Sequence, residues 1–456
     1  MKKIISEVFS KPWEVFIQRI LFSVVWLIFI TVDLISSTVF GYSLRRGWIE
    51  DVSRAGKEYQ YSAQVVDLWA TGRLVTLAAP YLYNFIYTHR SYINPDRLLE
   101  SRDPYSKALL WCVTPEFAIF SLQSEDLTDT RKFPFHFWFI WDLPNQLILV
   151  PHDSFIQLGD FMTAKREALR PKPKLVFIHM SARCGSTLLT QIINSVPGMA
   201  AISENWSPMS CSYARMEGSI TKERENTLLK PIFESVLHYI WEQRRSIGET
   251  PTHLAYKLTQ VETIYARKIK EMFPESIQVY NTRQPKPSIK SVSKVQNYVF
   301  GIPLFKTLSG WMMLNVIPAP SRNPDLPAKF IELHKRGVIK AKDIMIYFMC
   351  INFEVALDFK NCFNDTIWFE DLVEHQESTI RRLLKTMKIE NIEESLPNAI
   401  EAMKEDSQGG VITGNSKPNK FSEEDWIQLD SVHEQLGLKL RTYHSVDDMK
   451  KIWDNA

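Results

Sequence analysis

Short apolar runs alternate with stretches of helical spacing over the second half of the chain. Four of these runs, rich in β-branched and aromatic residues, are Leu175–Met180, Gly198–Trp206, His253–Gln260 and Ile277–Thr282. A fifth begins at Thr366 and leads into a segment whose apolar positions recur every three or four residues. Strands that alternate with helices form a parallel sheet covered by helices on both faces. The pattern therefore predicts an α/β fold for this half.

A long apolar stretch near the N-terminus runs from Ile20 to Tyr42. Its length matches the hydrocarbon core of a bilayer, and its apolar residues offset the insertion cost of the single carboxylate, Asp33. We predict a transmembrane helix here; a buried helix of a soluble domain is the alternative. A basic, proline-containing connector before residue 172 marks a further boundary. The predicted divisions are a tail (1–19), a transmembrane anchor (20–42), an accessory region (43–171) and a second domain (172–456).

Composition excludes several classes of protein. The chain has 54 basic and 52 acidic residues, a net charge of +2, so no global field favours nucleic acid. Its five cysteines are scattered and show neither a C-x-x-C pair nor the spacing of a zinc site. We therefore expect no metal site and no disulfide framework.

The most informative segment is the polar loop 181–187, which follows the first of the four apolar runs. A strand, a small-residue loop and a helix N-terminus together form a cradle for an anion, because backbone N–H groups and the helix dipole point at the ligand. In a Walker A loop a lysine follows the second glycine. Here Ser186 follows Gly185, Met180 replaces the first glycine, and the cation is Arg183.

This loop resembles the 5′-phosphosulfate loop of sulfotransferases, which bind 3′-phosphoadenylyl sulfate (PAPS) on a P-loop NTPase-like fold. Carbohydrate-type members read R-S-G-S/T-S/T here, and Cys184 replaces the usual serine. Arg283, at the end of the fourth run, and Ser291, eight residues later, match the family's ligands for the 3′-phosphate. Residues 369–372 are similar to its late Y-E-D-L stretch, with Phe369 for the tyrosine.

The resemblance implies a membrane-anchored, PAPS-dependent sulfotransferase that acts on a hydroxyl group, with a carbohydrate as the expected acceptor. It further implies a Golgi location with the catalytic domain in the lumen. The residues it assigns to the co-substrate are Arg183, Cys184, Gly185, Ser186 and Thr187 in the loop, Arg283 and Ser291 beyond it, and Lys417 in a late polar loop.

Ligands bind at the carboxyl ends of parallel strands, so four charged side chains are expected to meet at one edge of the sheet: Arg183, Glu204, Lys257 and Arg283. Arg183 is the predicted cation for the transferred group, and Glu204 is the candidate base that activates the acceptor. A salt bridge from Glu204 to Arg183 or Lys257 is the alternative reading. Lys257 either contacts the sulfuryl group or is only a lysine at a strand end, and His253 is a reserve base.

Two other functions stay open. A P-loop kinase shares the fold, but the missing Walker lysine disfavours it. A noncatalytic membrane protein with a degenerate sulfotransferase fold is favoured by Cys184 and by Asn205, which stands where several carbohydrate sulfotransferases have a proline after the glutamate.

Overall fold

The structure is a computed structural model of the 456-residue chain. It describes residues 62–69, 86–101, 103–122, 146–216, 218–300, 317–404 and 419–456, together with Tyr59, Leu314 and eight positions between 24 and 39. The strands in these ranges are β1 (Ala63–Trp69), β2 (Ile86–Ile93), β3 (Leu109–Val113), β4 (Phe117–Leu122), β5 (Gln146–Pro151), β6 (Lys174–Met180), β7 (Met199–Ser203), β8 (His253–Lys257), β9 (Ile277–Thr282) and β10 (Asp365–Trp368). The helices are α1 (His152–Ala168), α2 (Ser186–Ser195), α3 (Ser207–Met216), α4 (Lys222–Ser246), α5 (Ala266–Met272), α6 (Pro285–Phe300), α7 (Leu326–Lys335), α8 (Ile344–Asp358), α9 (Phe369–Glu374), α10 (Gln376–Thr386), α11 (Ile392–Ala402), α12 (Glu423–Gln435) and α13 (Val446–Asp454).

Most of the predicted transmembrane segment, 20–42, lies outside the described residues. The positions that are described there are helical, and the large apolar side chains among them are exposed: Val24, Leu27, Ile28, Val32, Ile35 and Val39. Within the described part of the chain, no helix combines the length and the hydropathy that crossing a membrane requires. The anchor stays a prediction.

One compact unit, Met1–Pro173 with Asn205–Pro251, contains an antiparallel sheet of strand order β2-β1-β5-β4-β3. Alternate residues of a strand point to one face, so side chains such as Leu110, Phe120 and Ile148 share a face of this sheet. They form one buried cluster with Phe155 of α1 and Ile232 of α4. Helices α1, α3 and α4 therefore supply the other half of this core.

The chain divides differently from the sequence prediction, which places all of 172–456 in one domain. Residues 205–251 belong to the first unit, because α3 and α4 pack into its core. Asn205 also holds the segment there: its side-chain amide donates to the Leu110 carbonyl at 2.7 Å, and its Oδ1 accepts from the Ser207 backbone N–H at 2.9 Å. Asn205 thus connects the first N–H group of α3 to β3 of the same unit.

The other unit, Lys174–Glu204 with Thr252–Ala456, contains a parallel sheet of strand order β10-β9-β6-β8-β7. All four neighbouring pairs are parallel, as the alternation of strands and helices predicts. In the central strand, Val176 pairs with Ala255 of β8 on one side and with Ile277 of β9 on the other. The α/β prediction for this half is confirmed.

Helices cover both faces of the parallel sheet. On one face, Val176 and Ala255 pack with Leu189 and Ile193 of α2 and Leu383 of α10 in a single buried cluster. On the other face, Phe177 lies against Phe273 with ring centroids 5.5 Å apart, and Tyr280 stacks on Trp453 of α13 at 5.3 Å. Burial on both faces explains why the strands read as continuous apolar runs.

The strand order sets the place of the loop that follows β6. After β6 the chain adds β7 and β8 on one side of that strand and then crosses to add β9 on the other side. In open parallel sheets a crevice forms at such a switch point, outside the carboxyl ends of the strands. The carboxyl ends of β6, β7, β8 and β9 bring the predicted site residues to this edge.

His253, the reserve base, lies at the opposite, amino end of β8. It is buried, and its Nε2 is 2.9 Å from the Met387 carbonyl oxygen. Burial lowers its pKa to about 4, so the ring is neutral in the folded protein at pH 7. His253 is therefore a structural residue.

Because the pKa of His253 is lowered by folding, we expect the protein to lose stability in acid. The unfolded pKa of the histidine is near 6.5 and its folded pKa near 4, so between these values only the unfolded state binds the proton. The free energy of unfolding falls by about 1.4 kcal/mol per pH unit as the pH decreases through this window. Replacing His253→Gln keeps a donor for Met387 and should reduce the pH slope of urea unfolding by this amount between pH 6 and 4.5; an unchanged slope would contradict the assignment.

Candidate functional site

The loop 181–187 joins β6 to the first turn of α2, which begins at Ser186. Ser181 ties the loop to the neighbouring strand: its N–H donates to the Asn281 carbonyl at 2.9 Å, and its hydroxyl donates to Thr282 Oγ1 at 3.1 Å. Gly185 is the N-cap of α2 in the left-handed conformation (φ 78°), and no side chain caps the helix. The first-turn N–H groups of a helix lack intrahelical partners, so this end favours an anion.

Phe369 is stacked between the loop and Arg283. A Cβ placed on Gly185 would lie 2.2 Å from Phe369 Cδ2, so only glycine allows the ring to approach this closely. The Arg283 guanidinium carbon lies 4.3 Å from the centroid of the same ring. A cation–π contact of this kind orients the guanidinium group. The sequence singles out Phe369 as a replaced tyrosine but does not predict this role.

Arg183 and Ser291 meet across the site. Arg183 Nε donates to the Ser291 hydroxyl at 3.0 Å, which connects the loop to α6. Burial is the main cause that lowers the pKa of Arg183; Glu204 opposes the change, and the like charge of Arg283 adds to it. Both arginines stay protonated at neutral pH, because guanidinium groups do not deprotonate in proteins. Two cations are thus held close together.

Arg283 carries an unsatisfied polar atom. Its Nε is buried and has no hydrogen-bond partner among the described residues, and burial lowers the pKa of the group. The negative charge of Glu370 opposes this lowering of the pKa. Glu370 Oε1 accepts a hydrogen bond from the Gln284 backbone N–H at 3.1 Å. A buried donor without an acceptor is costly unless a ligand satisfies it. The donor is suited to a phosphate, which Arg binds well.

The side chains of three loop residues that the resemblance assigns to the co-substrate, Cys184, Ser186 and Thr187, are buried. Cys184 is fully buried, and burial raises the pKa of its thiol to about 11, so it is a neutral side chain that does not reach the surface of the loop. The Ser186 hydroxyl donates to Met180 Sδ at 2.8 Å, and Ser186 and Thr187 are 6% and 5% exposed. What these residues offer an anion is the backbone at the start of α2.

Glu204 and Lys257 form an ion pair at the ends of β7 and β8. The Lys257 ammonium donates to Glu204 Oε1, and the Glu204 N–H donates to the Lys257 carbonyl at 2.8 Å. The Glu204 side chain is 18% exposed, whereas Lys257 is fully buried. The salt bridge offered as the alternative reading exists, and Glu204 nevertheless keeps access to the open edge of the sheet.

Lys417 lies outside the described residues, but the chain just after it rests on α6. The Asn419 N–H donates to the Ser293 hydroxyl at 3.0 Å, and Asn297 Nδ2 donates to Asn419 Oδ1 at 3.0 Å. Lys420 is exposed. The late polar loop thus ends on the helix that carries Ser291.

The fit between Gly185 and Phe369 predicts a stability effect. Gly185→Ala adds a methyl group to a filled space and also imposes a positive φ on an L-residue, so we expect a loss of about 2–4 kcal/mol in urea unfolding. Gly337 has a similar φ of 75° and open space around it, so Gly337→Ala should show the backbone cost alone, about 1–2 kcal/mol. Equal losses for the two variants would contradict the packing account.

Comparison with known proteins gives limited similarity. No family model matches the chain, and no curated protein matches it. Among solved structures, the chain is similar to a sulfotransferase domain from the curacin biosynthetic pathway at 13% identity and a TM-score of 0.30, covering 62% of this chain and 97% of that one. It is also similar to the sulfotransferase STF9 from Mycobacterium avium at 9% identity and a TM-score of 0.29, covering 64% and 82%. TM-scores this low support no functional inference, so any inference about function rests on the residues of the site.

Proposed function

We propose that this chain transfers a sulfuryl group from PAPS to an acceptor hydroxyl. The observation that carries the proposal is a pair of partly buried arginines, Arg183 and Arg283, beside the N-terminus of α2. The Nε atom of Arg283 is buried and has no hydrogen-bond partner in the part of the chain that the structure describes. An anion with two phosphate groups would satisfy both cations. The position of the kinase lysine is taken by Ser186, whose hydroxyl faces the Met180 sulfur, so a nucleoside triphosphate is the poorer ligand.

The residues present fit such a ligand at two places. The backbone at the start of α2, with Arg183, would hold the 5′-phosphate side. Arg283 and Ser291 would hold the 3′-phosphate, with the guanidinium contributing charge-assisted bonds and the serine a neutral one. Lys417 is proposed as a further contact from the late loop.

The chemistry assigned to the chain is proton removal and charge neutralisation. Bound PAPS supplies an activated sulfuryl group, whose S–O bond to the phosphate breaks as the acceptor oxygen bonds to sulfur. Glu204 takes the proton of the acceptor hydroxyl, because its carboxylate lies at the end of β7 and is 18% exposed. Arg183 stabilises the negative charge that develops on the phosphate side, because a partly buried cation is less screened by water than an exposed one.

A membrane anchor at 20–42, a carbohydrate acceptor and a Golgi location complete the proposal. The exposed apolar positions between 24 and 39 support an apolar environment for that segment. The carbohydrate acceptor and the Golgi location rest on the resemblance of loop 181–187 and of Arg283 and Ser291 to carbohydrate-type enzymes.

The test uses the full-length protein in detergent with PAPS labelled with radioactive sulfur. Extracts fractionated into glycans, lipids and proteins serve as acceptors, and Arg283→Ala is the matched inactive control. We expect label in the glycan fraction with the wild type only. Label in lipid or protein would change the acceptor class. Failure to transfer label, despite binding of 3′,5′-adenosine bisphosphate (PAP), would favour the noncatalytic scaffold that the buried thiol of Cys184 keeps open.

A further inference from the structure

Glu204 has a backbone conformation that side-chain-bearing residues rarely adopt. Its φ is 55°, in the left-handed region, at the point where the chain leaves β7. Such strain persists only where surrounding contacts impose it, and it is concentrated at functional sites. The contacts that impose it here come from Lys257.

Lys257 holds Glu204 at two points. Its carbonyl oxygen accepts the Glu204 N–H at 2.8 Å, which continues the parallel pairing of Ser203 with Lys257 by one residue. Its ammonium donates to Glu204 Oε1. The backbone bond fixes where the residue sits, and the side-chain bond fixes which way the carboxylate points.

The two partners differ in access to the open edge of the sheet. Lys257 is 0% exposed, while the Glu204 side chain is 18% exposed. A fully buried ammonium group cannot contact a ligand at the edge without a rearrangement of the strand end.

We propose that Lys257 is a positioning residue that acts on the reaction only through Glu204, by holding the carboxylate in the strained conformation from which it takes the acceptor proton. This inference rests on the proposed function. The sequence offers Lys257 as a contact of the sulfuryl group; its burial assigns it to the base instead. A purely structural strand-end lysine would leave the rate of transfer unchanged when replaced.

The test compares Lys257→Met, Glu204→Gln and the double variant. Lys257→Met should lower kcat at least 30-fold while the KM of the acceptor and the Kd of PAP change less than about threefold. In the Glu204→Gln background the same substitution should cost no further activity, because residues that act through one group are not additive. The ratio of PAPS to PAP affinity, measured by calorimetry, should stay at its wild-type value.

Three results would overturn the inference: an unchanged kcat, a further loss on top of Glu204→Gln, or weaker binding of PAPS relative to PAP. Removing one partner of a buried ion pair is destabilising, because the other charge loses its partner, so Lys257→Gln provides a second variant if Met does not fold. Lys268→Met, at an exposed lysine paired with Glu271 at 2.8 Å, is the matched control. If wild-type protein does not bind PAP, the proposed function fails; if PAP binds and these criteria are missed, only the role of Lys257 fails.

Discussion

Arg283→Ala should weaken the binding of PAP by about 100-fold without lowering the stability of the protein. A phosphate bound by a partly buried guanidinium gains charge-assisted hydrogen bonds worth about 1.5–3 kcal/mol, and a reduced local dielectric increases this. In the free protein, the cost of burying Arg283 Nε without a hydrogen-bond partner among the described residues offsets the cation–π contact of the same side chain with Phe369, and burial lowers the pKa of the group. Calorimetry should therefore show a lower affinity of the variant for PAP, while urea unfolding should show an unchanged free energy of unfolding.

Two variants sharpen this prediction. Arg283→Lys keeps the charge but loses the planar fork, so we expect an intermediate loss of affinity. Arg267 also lies over an aromatic ring, with its Cζ 5.7 Å from the Phe359 centroid, but it is exposed on α5. Arg267→Ala should leave PAP binding unchanged. Equal effects of the Arg267 and Arg283 variants would remove Arg283 from the binding site.

Glu204→Gln should reduce kcat by about 10²- to 10⁴-fold, the usual contribution of a general base. The amide keeps the size of the side chain and can still accept from Lys257, so the loss reports the missing proton acceptor. The Kd of PAP should change less than threefold, because Glu204 is assigned to the acceptor and not to the phosphates.

The control for this substitution is Glu374→Gln, at an exposed glutamate of α9. It makes the same chemical change away from the ion pair and should leave the rate of transfer at the wild-type level. Wild-type activity in Glu204→Gln would exclude Glu204 as the base and leave its bond with Lys257 as its only role.

The parallel sheet could be predicted from the sequence because buried strands and intervening helices leave periodic patterns. The loop between β6 and α2 and the arginine after β9 could be predicted for the same reason: each follows the end of an apolar run. The placement of Asn205–Pro251 in the first unit could not, because it depends on long-range contacts such as that between Asn205 and Leu110.

The finer geometry of the site also lies beyond sequence patterns. The stacking of Phe369 between Gly185 and Arg283 joins three segments that are far apart in the chain. The burial of Lys257 depends on its neighbours in the sheet, since a lysine at a strand end is equally compatible with an exposed position. Positive φ at Gly185 could have been anticipated from its place before a helix, whereas positive φ at Glu204 has no sequence signal.

The central claim is that Arg183 and Arg283 form a site for a nucleotide with both a 5′- and a 3′-phosphate. Titration of the full-length protein in detergent with PAP and with ATP, under the same salt conditions, tests it most directly. We expect PAP to bind at least tenfold more tightly than ATP. Tighter binding of ATP would indicate a kinase-type site, and binding of neither nucleotide would contradict the proposed function.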